Sequence, residues 1–203
     1  MTGRMIAFDG VDGSGKSTQI ELLRDWLLTR DLEVVLVRDP GGTVLGESLR
    51  EILLHRQDIP LSITAEMLLY MASRAELVAE VIRPALEADK VVLADRFLLA
   101  NVVYQGVAGG LPSDYVWQVG LVATGGLRPD LTLLMDIDPE SAMTRIQRGL
   151  DRLESRGLDY FRKVRSGFLD QASKASERVE IIDATQSIAD IQYQIQAAVE
   201  LLW

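Results

Sequence analysis

The sequence has no cysteine and a single histidine, His55. The first absence excludes disulfides, thiolate nucleophiles and cysteine metal ligands. The second leaves little for a histidine-dependent mechanism, because His55 stands beside Arg56 next to a helical stretch and reads as a solvated surface residue. Basic residues are also scarce. Lysine and arginine number 21 against 30 aspartates and glutamates, a net charge of −9. Nucleic-acid backbones are held by basic surfaces, so no nucleic-acid partner is expected. No apolar run approaches the roughly 20 residues that cross a membrane. The first residues carry no apolar signal core either, so no membrane partner and a cytoplasmic location are expected. There is no internal repeat, low-complexity tract or linker. With 48% hydrophobic residues, a chain of 203 can bury one core and is expected to be one domain.

What is present is an alternation. Apolar β-type runs at 5–8, 33–37, 90–94, 131–135 and 179–182 alternate with helical patterns, as parallel β-α-β units do. Helices are predicted over 17–30, 43–55, 62–88, 113–124, 139–148, 159–174 and 187–202. Each apolar run leads into a loop rich in Asp, Gly, Pro or Arg. In an open parallel sheet those loops gather at the carboxyl edge, where ligands bind. The apolar positions of 62–88 exceed what one sheet-facing stripe needs, which implies a second buried face, in a dimer interface or a deeply buried helix.

Between the first strand and the first helix stands Gly10-Val11-Asp12-Gly13-Ser14-Gly15-Lys16-Ser17, then Thr18. It fits the phosphate-binding pattern G-x-x-x-x-G-K-[ST] in the strand–loop–helix context that the chemistry needs. The glycines let backbone N–H groups turn inward around phosphate oxygens, and the helix N-terminus adds its positive end. Lys16 then reaches the β- and γ-phosphates and the Ser17 hydroxyl ligates Mg²⁺. Two strands run into aspartate, Asp95 and Asp136, and either is a candidate to organise that metal. Arg96 follows Asp95 at once, a cation where a second phosphate can sit. Arg38 enters the turn Asp39-Pro40-Gly41-Gly42.

Arg145, Arg148, Arg152 and Arg156 reverse the local charge of an acidic chain, and their spacing sets them along one side of a helix. With a phosphate loop present, the stretch reads as a lid over about 145–157 that closes and carries an arginine to the transferred phosphoryl group. A hydroxyl acceptor wants a carboxylate base, for which Asp12 is the candidate. An acceptor that is already a phosphate needs none, and Arg38, Arg96 and an arginine-rich lid suit it.

Taken together these segments resemble the thymidylate kinase family along nearly the whole chain. The phosphate loop from Phe8 to Thr18, the turn Arg38-Asp39-Pro40-Gly41-Gly42-Thr43, the helix Leu68–Ala75, the pair Asp95-Arg96-Phe97 with Tyr104-Gln105-Gly106, and Asp151-Arg152-Leu153-Glu154 carry the resemblance. It implies a P-loop NTPase-type α/β three-layer sandwich, a five-stranded parallel sheet flanked by helices, with a short lid. It implies transfer of the γ-phosphoryl of ATP to dTMP, giving dTDP and ADP, with Mg²⁺ and a homodimer. By the same resemblance Asp12 would accept from the 3′-hydroxyl of dTMP, and Arg38 and Arg96 would hold its phosphate. Tyr70 would stack on thymine and Arg74 donate to its O4, while Asn101, Tyr104 and Gln105 would complete the pocket. On residues alone Tyr70 reads as core edge and Arg74 as a surface cation. Gly13 occupies a loop position where some members carry arginine, so the catalytic arginine is expected from the lid, Arg148 or Arg152, with Arg145 nearer the adenine. The alternatives are another P-loop kinase with a different acceptor, or a nucleotide-binding switch.

Overall fold

The computed structural model of the chain describes residues 3–146, 152–175 and 177–203. The five expected strands are present as β1 (Arg4–Asp9), β2 (Val34–Arg38), β3 (Val91–Asp95), β4 (Leu131–Asp136) and β5 (Val179–Asp183). They form one all-parallel sheet in the order β2-β3-β1-β4-β5. Alternate residues of β1 explain why the run is apolar throughout. Ile6 and Phe8 enter the core on one face and Met5 and Ala7 the core on the other, so both faces are buried.

Helices cover both faces. On one side α1 (Lys16–Leu28), α8 (Leu158–Ala172) and α9 (Ile188–Glu200) contribute Leu23, Phe168 and Ile195 to the core with Ile6 and Phe8. On the other, α3 (Ile63–Leu77) and α6 (Ser113–Thr124) contribute Met67, Met71 and Val116. The fold is therefore the three-layer α/β sandwich expected. β1 and β4 are neighbours whose connections leave in opposite directions, which opens a crevice at the carboxyl edge.

Three helical stretches differ from the sequence pattern. The predicted 62–88 helix is α3, then a wide π turn at Val78–Ile82, then α4 (Arg83–Glu87). Pro84 has no N–H to donate back one turn, and the chain widens just ahead of it. The predicted 139–148 helix is α7 (Pro139–Thr144); the N–H groups of Arg145 and Ile146 bond three residues back to Ala142 and Met143, closing a tight last turn. Arg145, Arg152 and Arg156 thus do not lie in one helix, and Arg148 falls outside the described residues. Residues 98–107, which carry no helical expectation, form α5 (Leu98–Asn101) and a π turn, Val102–Val107. That second π turn presents Tyr104 and Gln105, and such turns recur at functional sites. α2 (Val44–Leu54) begins as predicted, with the Thr43 hydroxyl accepting from the N–H of Gly46.

Candidate active site

A cleft of about 940 Å³ lies at the carboxyl edge of the sheet, lined by the phosphate loop, the Arg38–Pro40 turn, α3, the Asp95-Arg96 pair and Arg145. Of the sheet's five strands, four end in aspartate: Asp9, Asp95, Asp136 and Asp183. Their surroundings separate them. Asp136 is held by a two-pronged bond from Arg165 at 2.7 and 2.8 Å, and Asp183 accepts from Thr185 and Gln186. Of the two candidate metal carboxylates, Asp95 lines the cleft and Asp136 does not. Asp9 is fully buried with no hydrogen-bond partner for either oxygen. Burial pushes its carboxyl up to about 7, against the pull of Arg96, Lys16 and Arg74.

The phosphate loop has the shape its glycines permit. Gly10, Gly13 and Gly15 take φ of 132°, 81° and 92°, and α1 starts at Lys16 with no side chain capping it. Its first N–H groups are thus left for a ligand. A Cβ at Gly13 would lie 2.1 Å from the carbonyl oxygen of Ala142 on α7, so an arginine cannot stand at this position in this chain. Lys16 Nζ donates to the carbonyls of Gly10 (3.2 Å) and Val11 (2.9 Å) and lies 3.9 Å from Asp12 Oδ1. Burial lowers its pKa, with Arg96 adding to the effect.

Arg96 sits at the centre. Its Nη1 donates to the same Gly10 carbonyl at 2.9 Å, and its Nη2 to Asp12 Oδ1 at 2.8 Å and to the Tyr104 hydroxyl at 3.3 Å. Its backbone is left-handed, φ 71°, an unusual conformation for a side chain of this size. Arg38 is half-exposed and pairs with Glu47 at 3.3 Å. Arg50, which sequence reasoning missed, donates to the Pro40 carbonyl at 2.8 Å and lines the cleft. A signal for it existed: Arg50 and Leu54 share a face of α2, and Leu54 is buried at the cleft.

Across the cleft, Tyr70 and Arg74 project from α3, and Asn101, Tyr104 and Gln105 from the α5 segment. Arg74 is not a surface cation. Only 2% exposed, it pairs with Asp39 Oδ2 at 2.5 Å and donates to Asn101 Oδ1 at 2.9 Å. Asn101 Nδ2 donates to Gln105 Oε1 at 2.6 Å, and Gln105 Nε2 to Glu66 Oε1 at 2.9 Å.

The lid arginines part company. Arg145 lines the cleft and donates to the Ala184 carbonyl at 3.3 Å. Arg152 lies outside the cleft lining, donating to the carbonyls of Leu53 (3.0 Å) and Ile52 (3.4 Å) at the end of α2 and to those of Arg56 and Ile59 (3.1 Å) in the segment that follows. Arg148 lies outside the described residues, as does Asp151. Of the remaining expected residues, Val11, Ser14, Ser17 and Thr18 take their places in the loop and the start of α1. Among the described residues no three histidines or carboxylates cluster to hold a metal by themselves.

The family model described as thymidylate kinase matches residues 8–195. The thymidylate kinase of Rhodopirellula baltica is 47% identical over 199 residues, covering 98% of this chain and 80% of that protein. That of Symbiobacterium thermophilum is 45% identical over 196 residues, covering 96% and 92%. A crystal structure of thymidylate kinase from Ehrlichia chaffeensis superposes with a TM-score of 0.79 at 29% identity, covering 98% of this chain and 99% of that one.

Proposed function

The chain belongs to the thymidylate kinase family and transfers a phosphoryl group to thymidylate, and from that premise we propose that ATP is the donor, Mg²⁺ the metal, and that the cleft divides the two nucleotides between its halves. Gly10 to Thr18 would wrap the donor triphosphate, with Lys16 on the β- and γ-phosphates and Arg145 beside the adenine. Arg38, Arg50 and Arg96 would hold the acceptor phosphate. Tyr70, Arg74, Asn101, Tyr104 and Gln105 would line base and sugar, and Asp12 would accept from the 3′-hydroxyl.

Ser17 and Asp95 would hold the metal. A carboxylate and a hydroxyl lining one cleft suit Mg²⁺, which prefers to share its shell between one or two protein oxygens, water and substrate phosphates. Bound there it would neutralise charge on the phosphate oxygens. An oxygen of the dTMP phosphate attacks the γ-phosphorus in line, and the bond to the β–γ bridging oxygen breaks. ADP leaves with the electron pair. No proton need be removed, so the chain's own contribution is positioning and charge. Arg148 is proposed as the cation that meets the transferred group, since Arg152 is engaged at the end of α2. The lid about 145–157 and a homodimer in the cytoplasm belong to the same reading. Exposed Leu68, Tyr115 and Val122 on α3 and α6 support an interface, and no helix among the described residues is long and apolar enough to cross a membrane.

The observation that carries this reading is Arg96, whose one guanidinium touches the Gly10 carbonyl of the donor loop, Asp12, and the Tyr104 hydroxyl of the acceptor wall. The test is ADP release across a panel of nucleoside monophosphates, with and without Mg²⁺. Release that depends on both dTMP and Mg²⁺ supports it. Release indifferent to the acceptor overturns the acceptor assignment, and release indifferent to Mg²⁺ overturns the metal.

A further inference from the structure

Glu66 has no part in the division above, yet it is a carboxylate only 2% exposed, one turn before Tyr70 on α3. Its Oε1 accepts from Gln105 Nε2 at 2.9 Å and its Oε2 from Arg156 Nη2 at 2.5 Å. It ends a chain that runs from Arg74 through Asn101 and Gln105. The direction of that chain is forced from both ends. A guanidinium only donates and an ionised carboxylate only accepts, so each carboxamide between them has one orientation that satisfies both neighbours. Reversing Gln105 would reverse Asn101 and set N–H against N–H at Arg74 Nη1, turning a guanidinium that Asp39 and the Phe97 carbonyl hold on its other nitrogens.

We propose that Glu66 is a positioning residue that sets acceptor specificity: held by Arg156, it fixes the direction of the Gln105–Asn101–Arg74 chain and so keeps Arg74 where it favours a 4-keto pyrimidine over a 4-amino one. This rests on the acceptor reading of the pocket. Arg74 has only N–H to offer a base, which suits the oxygen of thymine and opposes the amino group of cytosine. Only a carboxylate can accept from Gln105 and Arg156 together. Glutamine in its place must turn an N–H toward one of them.

The test uses the full-length enzyme and the ratio of kcat/KM for dTMP to that for dCMP. In Glu66→Gln the KM for dTMP is expected to rise about tenfold to a hundredfold, the span of one charge-assisted hydrogen bond. The dTMP preference should narrow, with the KM for ATP unchanged. The double replacement Glu66→Gln with Gln105→Glu moves the carboxylate one link along and satisfies every partner again: Glu accepts from Asn101 and from Gln, and Gln accepts from Arg156. It should recover the preference. An unchanged ratio in the single variant, or no recovery in the double, overturns the proposal. Should the variants not fold, the unmutated protein still decides. Its Asn101 and Gln105 side-chain N–H signals are expected to be resolved and slow to exchange before nucleotide is added, and averaged signals would overturn the lock. Failure of the wild type to phosphorylate dTMP would instead count against the acceptor reading.

Discussion

Three side chains make separable predictions. Lys16 lies in the phosphate loop with its Nζ on loop carbonyls rather than in the core. Lys16→Ala should therefore leave the fold intact and cut kcat by at least about a hundredfold through lost charge stabilisation; near-normal turnover would remove the loop from the mechanism. Arg96 combines a functional guanidinium with a left-handed backbone. Arg96→Ala and Arg96→Gly should both weaken dTMP about tenfold or more. The glycine variant should be the more stable of the two by about 1 kcal/mol, because only alanine keeps the strain. Equal melting temperatures would mean that the backbone relaxes. Asp9 gives a pH dependence. Its carboxyl is raised in the folded protein from 3.8 to about 7. The folded state thus holds a proton that the unfolded chain has released, and stability from this site is present below about pH 4 and lost as pH rises through about 7. Asp9→Asn should flatten the stability profile across that window, measured by denaturant unfolding without nucleotide; an unchanged slope would place the titration elsewhere.

At the scale of elements, β1, β3 and β4 were legible because each is buried on both faces and so reads as a nearly unbroken apolar run, while the partly exposed edge strands β2 and β5 were legible from their place in the alternation with helices. The helix over 98–107 was not, because its signal depends on what packs around it: Leu98, Leu99, Val102 and Val103 are buried, and so are Asn101, Tyr104 and Gln105, so its polar side is an uncharged pocket wall and not a solvated face. The phosphate loop, Arg96 and Asp95 could be found from spacing alone. Arg50 and Glu66 could not be found so directly, since each is one charge in an ordinary helix until a neighbouring element closes over it. Arg152 is the opposite case. Its spacing suggested a catalytic finger, but nothing in the sequence reveals that α2 ends with carbonyls within its reach. Those carbonyls are the unsatisfied acceptors of a helix terminus. Arg152→Ala should cost about 2 kcal/mol, roughly 4–8 °C in Tm for a chain of this size, with kcat little changed. Arg148→Ala should do the reverse, lowering kcat about a hundredfold or more at nearly constant Tm. If the two effects are exchanged, Arg152 leaves α2 during turnover and is itself the finger.

For the whole molecule, the parallel sheet collects at one edge what the chain scatters over its length, from Asp9 to Asp183. The cleft at that edge is lined by Lys16, Arg38, Arg50, Arg74, Arg96 and Arg145 against Asp12, Asp39 and Asp95, yet the whole protein carries a net charge of −9, and both nucleotides are anions. The consequence is kinetic. An incoming nucleotide feels the long-range repulsion of the whole surface before it meets Lys16 or the arginines, and added salt screens the far field ahead of the near one. Stopped-flow association of Mg²⁺–nucleotide should therefore quicken as ionic strength rises from low values toward about 0.15 M, where the screening length is about 8 Å. Dissociation should quicken too, once the salt competes for the arginines. An association rate that falls from the first addition of salt would mean that the cations of the cleft reach further into solvent than the aspartates around them.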